Sequence, residues 1–314
     1  ARAVPAPRRV RPSQGVRVVE FRKLGIVGGG FMGRSLAQKV ASSGIDVTVL
    51  EVSQERADQA RQDLALNLDR ELAKWGITAS EKKATLSRIE FTVDPAELAG
   101  SDMVVEAVPE DLALKQAVMF RLDAQLEAGV VFVTSTSTLS VTEIAAASGR
   151  ADRVVGMHFM HPVTQSRIVE IVRGSETSND TYQRAVDLAR TLDKTMIEVF
   201  EYPGYVVTRA ILPFLNEAMH IVMEGVSSAE DVDRALRLGY EFKIGPLEYV
   251  DRVGLDTVLE WMEHLFRELG DFKYRPCPLL RKMVRAGYLG RKSGRGFFRW
   301  ENGERVRPEP EAAR

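Results

Sequence analysis

Two ionisable residues, His158 and Glu170, interrupt the apolar runs VVGMHF and IVEIV. A hairpin centred on Thr164 places them opposite each other. There a carboxylate would fix the tautomer of the imidazole and raise its basicity, as a general base needs in order to take a proton from a secondary alcohol. A plain cross-strand surface pair would share that spacing, and the two residues alone leave both readings open. His158 and His161 are three apart, but no acid or cysteine cluster accompanies them. His220 and His264 fall in expected helices, so no metal is expected.

A second constellation is LGIVGGGFMG at Leu24–Gly33. Gly28, Gly30 and Gly33 have the dinucleotide-binding spacing, directly after a strand and at the start of a helix, with Phe31 and Met32 inside the turn. Such glycines allow the tight turn, the backbone approach to a pyrophosphate and close helix packing. Glu51, at the end of the next strand, is placed to hydrogen-bond both ribose hydroxyls and to repel the extra phosphate of NADP, so NAD is the expected cofactor. Arg34 pulls the other way.

These residues need a scaffold. Strands are expected near Lys23–Val27, Val47–Glu51, Met103–Val108, Val130–Thr134, Val154–Phe159, Arg167–Val172 and Met196–Val199. Their alternation with helical patterns predicts a doubly wound Rossmann-type α/β sheet over residues 21–202. A helical insertion at about 54–88, whose second helix opens on the capping box Thr78/Glu81, reads as a flap over a substrate cleft. From 203 to 314 the pattern is helical: Tyr205–Glu224 (kinked at Pro213), Ala229–Leu238, Leu247–Val253, Asp256–Leu269 and Pro278–Ala286, punctuated by glycines. The boundary belongs near Glu201–Gly204. In such sheets ligands lie beyond the carboxyl ends of the strands, which brings the run from Ser135 to Thr138, Glu110 and His158 into consideration.

With 45% apolar and 28% charged residues and a net charge of -1, the chain excludes a nucleic-acid-coating or disordered protein. One cysteine, Cys277, excludes an internal disulfide. No apolar run is long enough for a transmembrane helix. Residues 1–20 read as a basic, proline-broken tail, with an organelle transit peptide as the alternative.

The motifs GMHFMHPV (Gly156–Val163), IVEIVRGSETS (Ile168–Ser178), VVEAVPEDLALK (Val104–Lys115), STSTLSV (Ser135–Val141), PGYVVTR (Pro203–Arg209), LNEA (Leu215–Ala218), IGPLEYVDRVGLDT (Ile244–Thr257) and LGRKSGRGFF (Leu289–Phe298) together resemble the 3-hydroxyacyl-CoA dehydrogenase family. The resemblance runs from about Lys23 to Trp300, and the insertion is most similar to bacterial 3-hydroxybutyryl-CoA members. It implies NAD-dependent oxidation of an (S)-3-hydroxyacyl-CoA, with His158 as base, Glu170 as its partner and Ser137 as hydrogen-bond donor to the C3 oxygen. It also implies Glu110 and Lys115 at the ribose and nicotinamide end of the cofactor, and a homodimer through the helical domain. His161, Thr208 and Ser135 stand where the family commonly has asparagines, the first two near the substrate and the third near the nicotinamide ribose. Arg61, Arg70 and Lys74 could meet CoA phosphates or be solvated helix surface. A dehydrogenase of a free hydroxy acid (gulonate or carnitine type) and a weakly catalytic NAD-binding structural protein stay open as alternatives. The expected location is cytoplasmic, or the mitochondrial matrix if the tail is a transit remnant; neither nucleic acid nor membrane is an expected partner.

Overall fold

The computed structural model describes residues 20–306, so all but Glu20 of the basic tail lies outside it. The chain runs β1 (Lys23–Val27), α1 (Phe31–Ser42), β2 (Asp46–Leu50), α2 (Gln54–Ala73), α3 (Ala79–Leu86), β3 (Ile89–Thr92), β4 (Met103–Glu106), α4 (Leu112–Gln125), β5 (Val131–Thr134), α5 (Val141–Ala145), β6 (Val154–Phe159), β7 (Ile168–Arg173), α6 (Asn179–Thr191) and β8 (Thr195–Phe200). The sheet order is β3-β2-β1-β4-β5-β6-β7-β8. All neighbours are parallel except β6 and β7, which the short connection around Thr164 joins antiparallel. This is the doubly wound α/β architecture expected.

Side chains alternate between the two faces. Met103 and Val105 of β4, with Val131 and Val133 of β5, join α1, α2 and α6 on one side, while Val104 and Phe132 pack against α4 and α5 on the other. That alternation also sends Glu106 and Thr134 toward α4, a placement with consequences for the site.

The segment read as a flap is an integral part of the sheet's cover. Ala57, Ala60, Leu64 and Leu68 of α2 are buried in the sheet core, and the Thr78/Glu81 capping box opens α3. Together the two helices form the crossover to β3, a strand that sequence reading missed. Its four residues, IEFT, carry too short a pattern to stand out after two helices.

Beyond β8 come α7 (Val207–Met223, with Pro213 inside it), α8 (Ala229–Tyr240), α9 (Pro246–Val253), α10 (Leu255–Leu269) and α11 (Pro278–Arg285). They enclose a separate core that includes Leu212, Met219, Leu247, Val258, Met262 and Leu265. This part is not wholly helical: a small hairpin, β9 (Trp300–Glu301) with β10 (Glu304–Arg305), closes it. Buried Asp251 holds the segment before the hairpin, accepting from the N–H groups of Phe297 (2.8 Å) and Phe298 (2.9 Å) and from the Trp300 indole (2.8 Å). A Cβ on Gly296 would lie 2.1 Å from Asp251 Oδ1, so this part of the GRGFF motif serves packing. Among the described residues no helix is long and apolar enough to cross a membrane.

Candidate active site

The glycine-rich turn has the backbone that its spacing predicts. Gly28 has φ +99°, and a Cβ there would lie 2.8 Å from the Ala107 carbonyl; one on Gly33 would lie 1.9 Å from the Gly28 carbonyl. Apart from its chain neighbours, no atom of the described residues lies within 4 Å of the position a Gly30 Cβ would take. The space in front of α1 is therefore open, Gly30 caps the helix without a side chain, and no acid sits in its first turn. The free N–H groups and helix dipole suit a phosphate. Glu51 Oε1 accepts from the Gly29 N–H at 2.6 Å, just past the end of β2. Arg34 is turned away from this space, donating to the Gly29 carbonyl (2.8 Å) and pairing with Asp63 (3.1 Å).

His158 and Glu170 occupy paired register positions on β6 and β7, and His158 Nδ1 lies 2.6 Å from Glu170 Oε2. Both side chains are buried. Glu170 Oε1 accepts from the N–H groups of Val206 and Val207, each at 2.9 Å, where α7 begins. Burial raises the Glu170 carboxyl, but the His158 contact and the two N–H donors outweigh it and leave the group below its ordinary value. An ionised Glu170 requires the proton on Nδ1, which leaves Nε2 with a lone pair.

A second carboxylate shapes the loop after β5. Glu110 Oε1 accepts from Thr136 Oγ1 (2.6 Å) and from the N–H groups of Ser137 (2.8 Å) and Thr138 (3.0 Å). Its other oxygen lies 3.4 Å from Lys115 Nζ. Burial raises Glu110, whereas Lys115 and these donors pull its carboxyl below the ordinary value. Lys115 is no solvated lysine: it is buried, bonded to Glu106 Oε1 at 2.8 Å and to the Val108 carbonyl at 3.3 Å. Glu106, fully buried and also accepting from Thr134 Oγ1 at 2.7 Å, was missed in the sequence. An acid ending an apolar strand, followed by a lysine on the next helix, was the available signal.

Among the described residues the Ser137 hydroxyl has no side-chain hydrogen bond, while its loop is held through Glu110. Ser135, partly buried at the end of β5, donates its N–H to the Glu106 carbonyl at 3.0 Å. Thr208 is buried in the first turn of α7. His161 packs on Phe31 with ring centroids 3.7 Å apart and the rings tilted by 33°, which joins the β6–β7 turn to the start of α1. Partial desolvation and then Arg291 lower its pKa to about 4, although the residue keeps solvent contact; His158 does not contribute to that shift. Met32 is partly buried against the sheet core. Of the three basic residues considered for CoA, Lys74 pairs with Glu304 at 2.7 Å and Arg61 lies over the Phe91 ring. Among the described residues Arg70 meets Asn67 at 3.5 Å and forms no ion pair.

The model of the "3-hydroxyacyl-CoA dehydrogenase, NAD binding domain" matches residues 23–202, and that of the "3-hydroxyacyl-CoA dehydrogenase, C-terminal domain" matches 204–300. The chain belongs to the 3-hydroxyacyl-CoA dehydrogenase family. This dehydrogenase is 41% identical over 283 residues to a probable 3-hydroxybutyryl-CoA dehydrogenase of Bacillus subtilis, covering 90% of this chain and 99% of the relative. It is 34% identical to the mitochondrial hydroxyacyl-coenzyme A dehydrogenase of Rattus norvegicus, with 88% and 90% covered. Among solved structures, (S)-3-hydroxybutyryl-CoA dehydrogenase PaaH1 from Ralstonia eutropha superposes with a TM-score of 0.81 at 39% identity, covering 90% of this chain and all of that one. The dehydrogenase uses NAD, and the open cradle at Gly30, the Glu51 carboxylate and the withdrawn Arg34 fit that cofactor.

Proposed function

We propose that this dehydrogenase interconverts a short-chain (S)-3-hydroxyacyl-CoA, such as 3-hydroxybutyryl-CoA, and its 3-oxoacyl-CoA, with His158 as general base. The buried 2.6 Å contact between His158 Nδ1 and Glu170 carries the reading, since it dedicates Nε2 to accepting a proton. In oxidation His158 Nε2 takes the C3 hydroxyl proton, and Glu170 stabilises the imidazolium that results. The Ser137 hydroxyl hydrogen-bonds the C3 oxygen. Bound NAD supplies a hydride acceptor for C3. Gly28, Gly30, Phe31, Met32, Gly33 and Glu51 hold its adenosine and pyrophosphate half. Ser135 and Glu110, steadied by Lys115, lie at its nicotinamide end, and Thr208 and His161 border the substrate.

Residues 21–202 are read as the NAD-binding unit and 203–314 as the substrate and dimerisation unit. Exposed Val226, Leu238 and Tyr240 on the helical unit suit a homodimer contact. A cavity of about 620 Å³ between the loop after β5 and α10 is lined by Glu110, Asp111, Glu201, Asp256, Glu260 and Glu263, among others. Its acids outnumber the Arg267 and His264 that also line it, so the cavity disfavours CoA phosphates, and Arg70 on α2 is a candidate to meet them. The location is read as cytoplasmic, with the mitochondrial matrix as the alternative, since the relatives include bacterial proteins and a mitochondrial one.

Purified protein mixed with NADH and acetoacetyl-CoA should lose NADH absorbance, whereas free acetoacetate should leave it unchanged. Equal turnover of the free acid would overturn the CoA assignment.

A further inference from the structure

Tyr205 touches the Ser137 loop and the His158 ring from the turn that feeds Glu170. It is buried, and its hydroxyl donates to the Leu139 carbonyl at 2.8 Å, two residues past Ser137. Its ring stands 5.7 Å from that of His158, tilted by 56°. Its backbone has φ +50° directly after Gly204 at +77°. Two successive left-handed residues reverse the chain between β8 and α7, and the next two N–H groups, of Val206 and Val207, are those that Glu170 accepts. A non-glycine residue holds this conformation only where its surroundings over-determine it. Here the Tyr205 N–H bonds the Tyr202 carbonyl at 2.9 Å while the hydroxyl anchors the far end of the side chain. Glu110 fixes the Ser137 loop at Thr136, Ser137 and Thr138, and Thr136 Oγ1 accepts from the Leu139 N–H at 2.9 Å, while the phenol ties the Leu139 carbonyl to the start of α7.

We propose that Tyr205 is a positioning residue that sets the Ser137 loop, the His158 ring and the Glu170 carboxylate in mutual register at the junction of the two domains. The inference rests on the catalytic reading of those three residues. Burial, and then Glu110 and Glu201, keep the phenol protonated and therefore a donor. Removal of the hydroxyl alone leaves the Leu139 carbonyl unpaired and loosens the loop's tie to the start of α7, while the Glu110 contacts and the NAD cradle stay in place, so the Ser137 hydroxyl shifts relative to His158 and the C3 oxygen.

The test is steady-state kinetics of Tyr205→Phe beside His158→Gln, with acetoacetyl-CoA and NADH. Tyr205→Phe should lower kcat about tenfold, less than the roughly hundredfold that a misplacement of about 1 Å costs, with KM for NADH unchanged. Tyr205→Leu, which also removes the ring from His158, should lower kcat further. Wild-type kcat in Tyr205→Phe with His158→Gln inactive would overturn the positioning role alone. Full activity in His158→Gln would overturn the catalytic reading and this inference with it. A merely structural tyrosine would lower the melting temperature of Tyr205→Phe and leave kcat in place, which also overturns the proposal.

Discussion

Lys115 Nζ lies 2.8 Å from Glu106 Oε1 with both side chains out of contact with water. Such a pair ties the end of β4 to α4 and, through Glu110, to the loop carrying Ser137. Removing one partner of a buried pair strands the other charge, so Lys115→Met should lose about 3–5 kcal/mol of stability. Urea unfolding at neutral pH measures this. A loss of only a few tenths of a kcal/mol would mean that the pair is dispensable.

Glu170→Gln keeps an oxygen for the Val206 and Val207 N–H groups but can present an amide N–H to Nδ1. The ring then keeps its proton on Nε2 and cannot accept another there. The expected loss in kcat is about 10²–10⁴-fold, the usual span of general acid–base catalysis, with little change in KM for NADH. Kinetics within a factor of two of wild type would remove Glu170 from the mechanism.

Cofactor choice should follow Glu51 and ignore Arg34. A charge-assisted hydrogen bond contributes about 1.5–3 kcal/mol, so Glu51→Ala should lower kcat/KM for NADH roughly tenfold to a hundredfold and narrow its preference over NADPH. Arg34→Gln should leave that preference unchanged, because Asp63 and the Gly29 carbonyl already occupy the guanidinium. An Arg34→Gln enzyme with a changed NADPH rate would contradict the withdrawn geometry.

His161 supplies a pH dependence. Its folded pKa of about 4 lies below the unfolded value of about 6.5. Between these pH values the unfolded chain binds more protons, so stability rises with pH across the window and is lost as pH falls through it. His161→Asn should flatten that slope, by a small amount because the ring keeps solvent contact. Urea midpoints at the two ends of the window compare the variants, and parallel slopes would show that His161 titrates normally in the folded state.

Much of the architecture was legible because it depends on local repeats. Glycine spacing and apolar strand runs alternating with helical patterns made the sheet and the turn at Gly28–Gly33 readable, and the short connection around Thr164 set the register of His158 against Glu170. β3 escaped because four residues carry too little pattern, and the role of α2 escaped because its polar composition hides a buried stripe of Ala57, Ala60, Leu64 and Leu68.

What only the tertiary structure decided is where charges go. Arg34 and Lys115 read alike in sequence as basic residues near a cofactor. One is drawn to Asp63 on a helix that packs over the turn, and the other is buried under two carboxylates converging from β4 and the loop beyond it. Glu170 meets the first N–H groups of α7, and Tyr205 meets Leu139, across sequence separations that no local pattern spans. Periodicity and turn chemistry are written in neighbouring residues, whereas the partner of a buried polar group is settled by chain packing, where an unmade hydrogen bond costs about 1–3 kcal/mol.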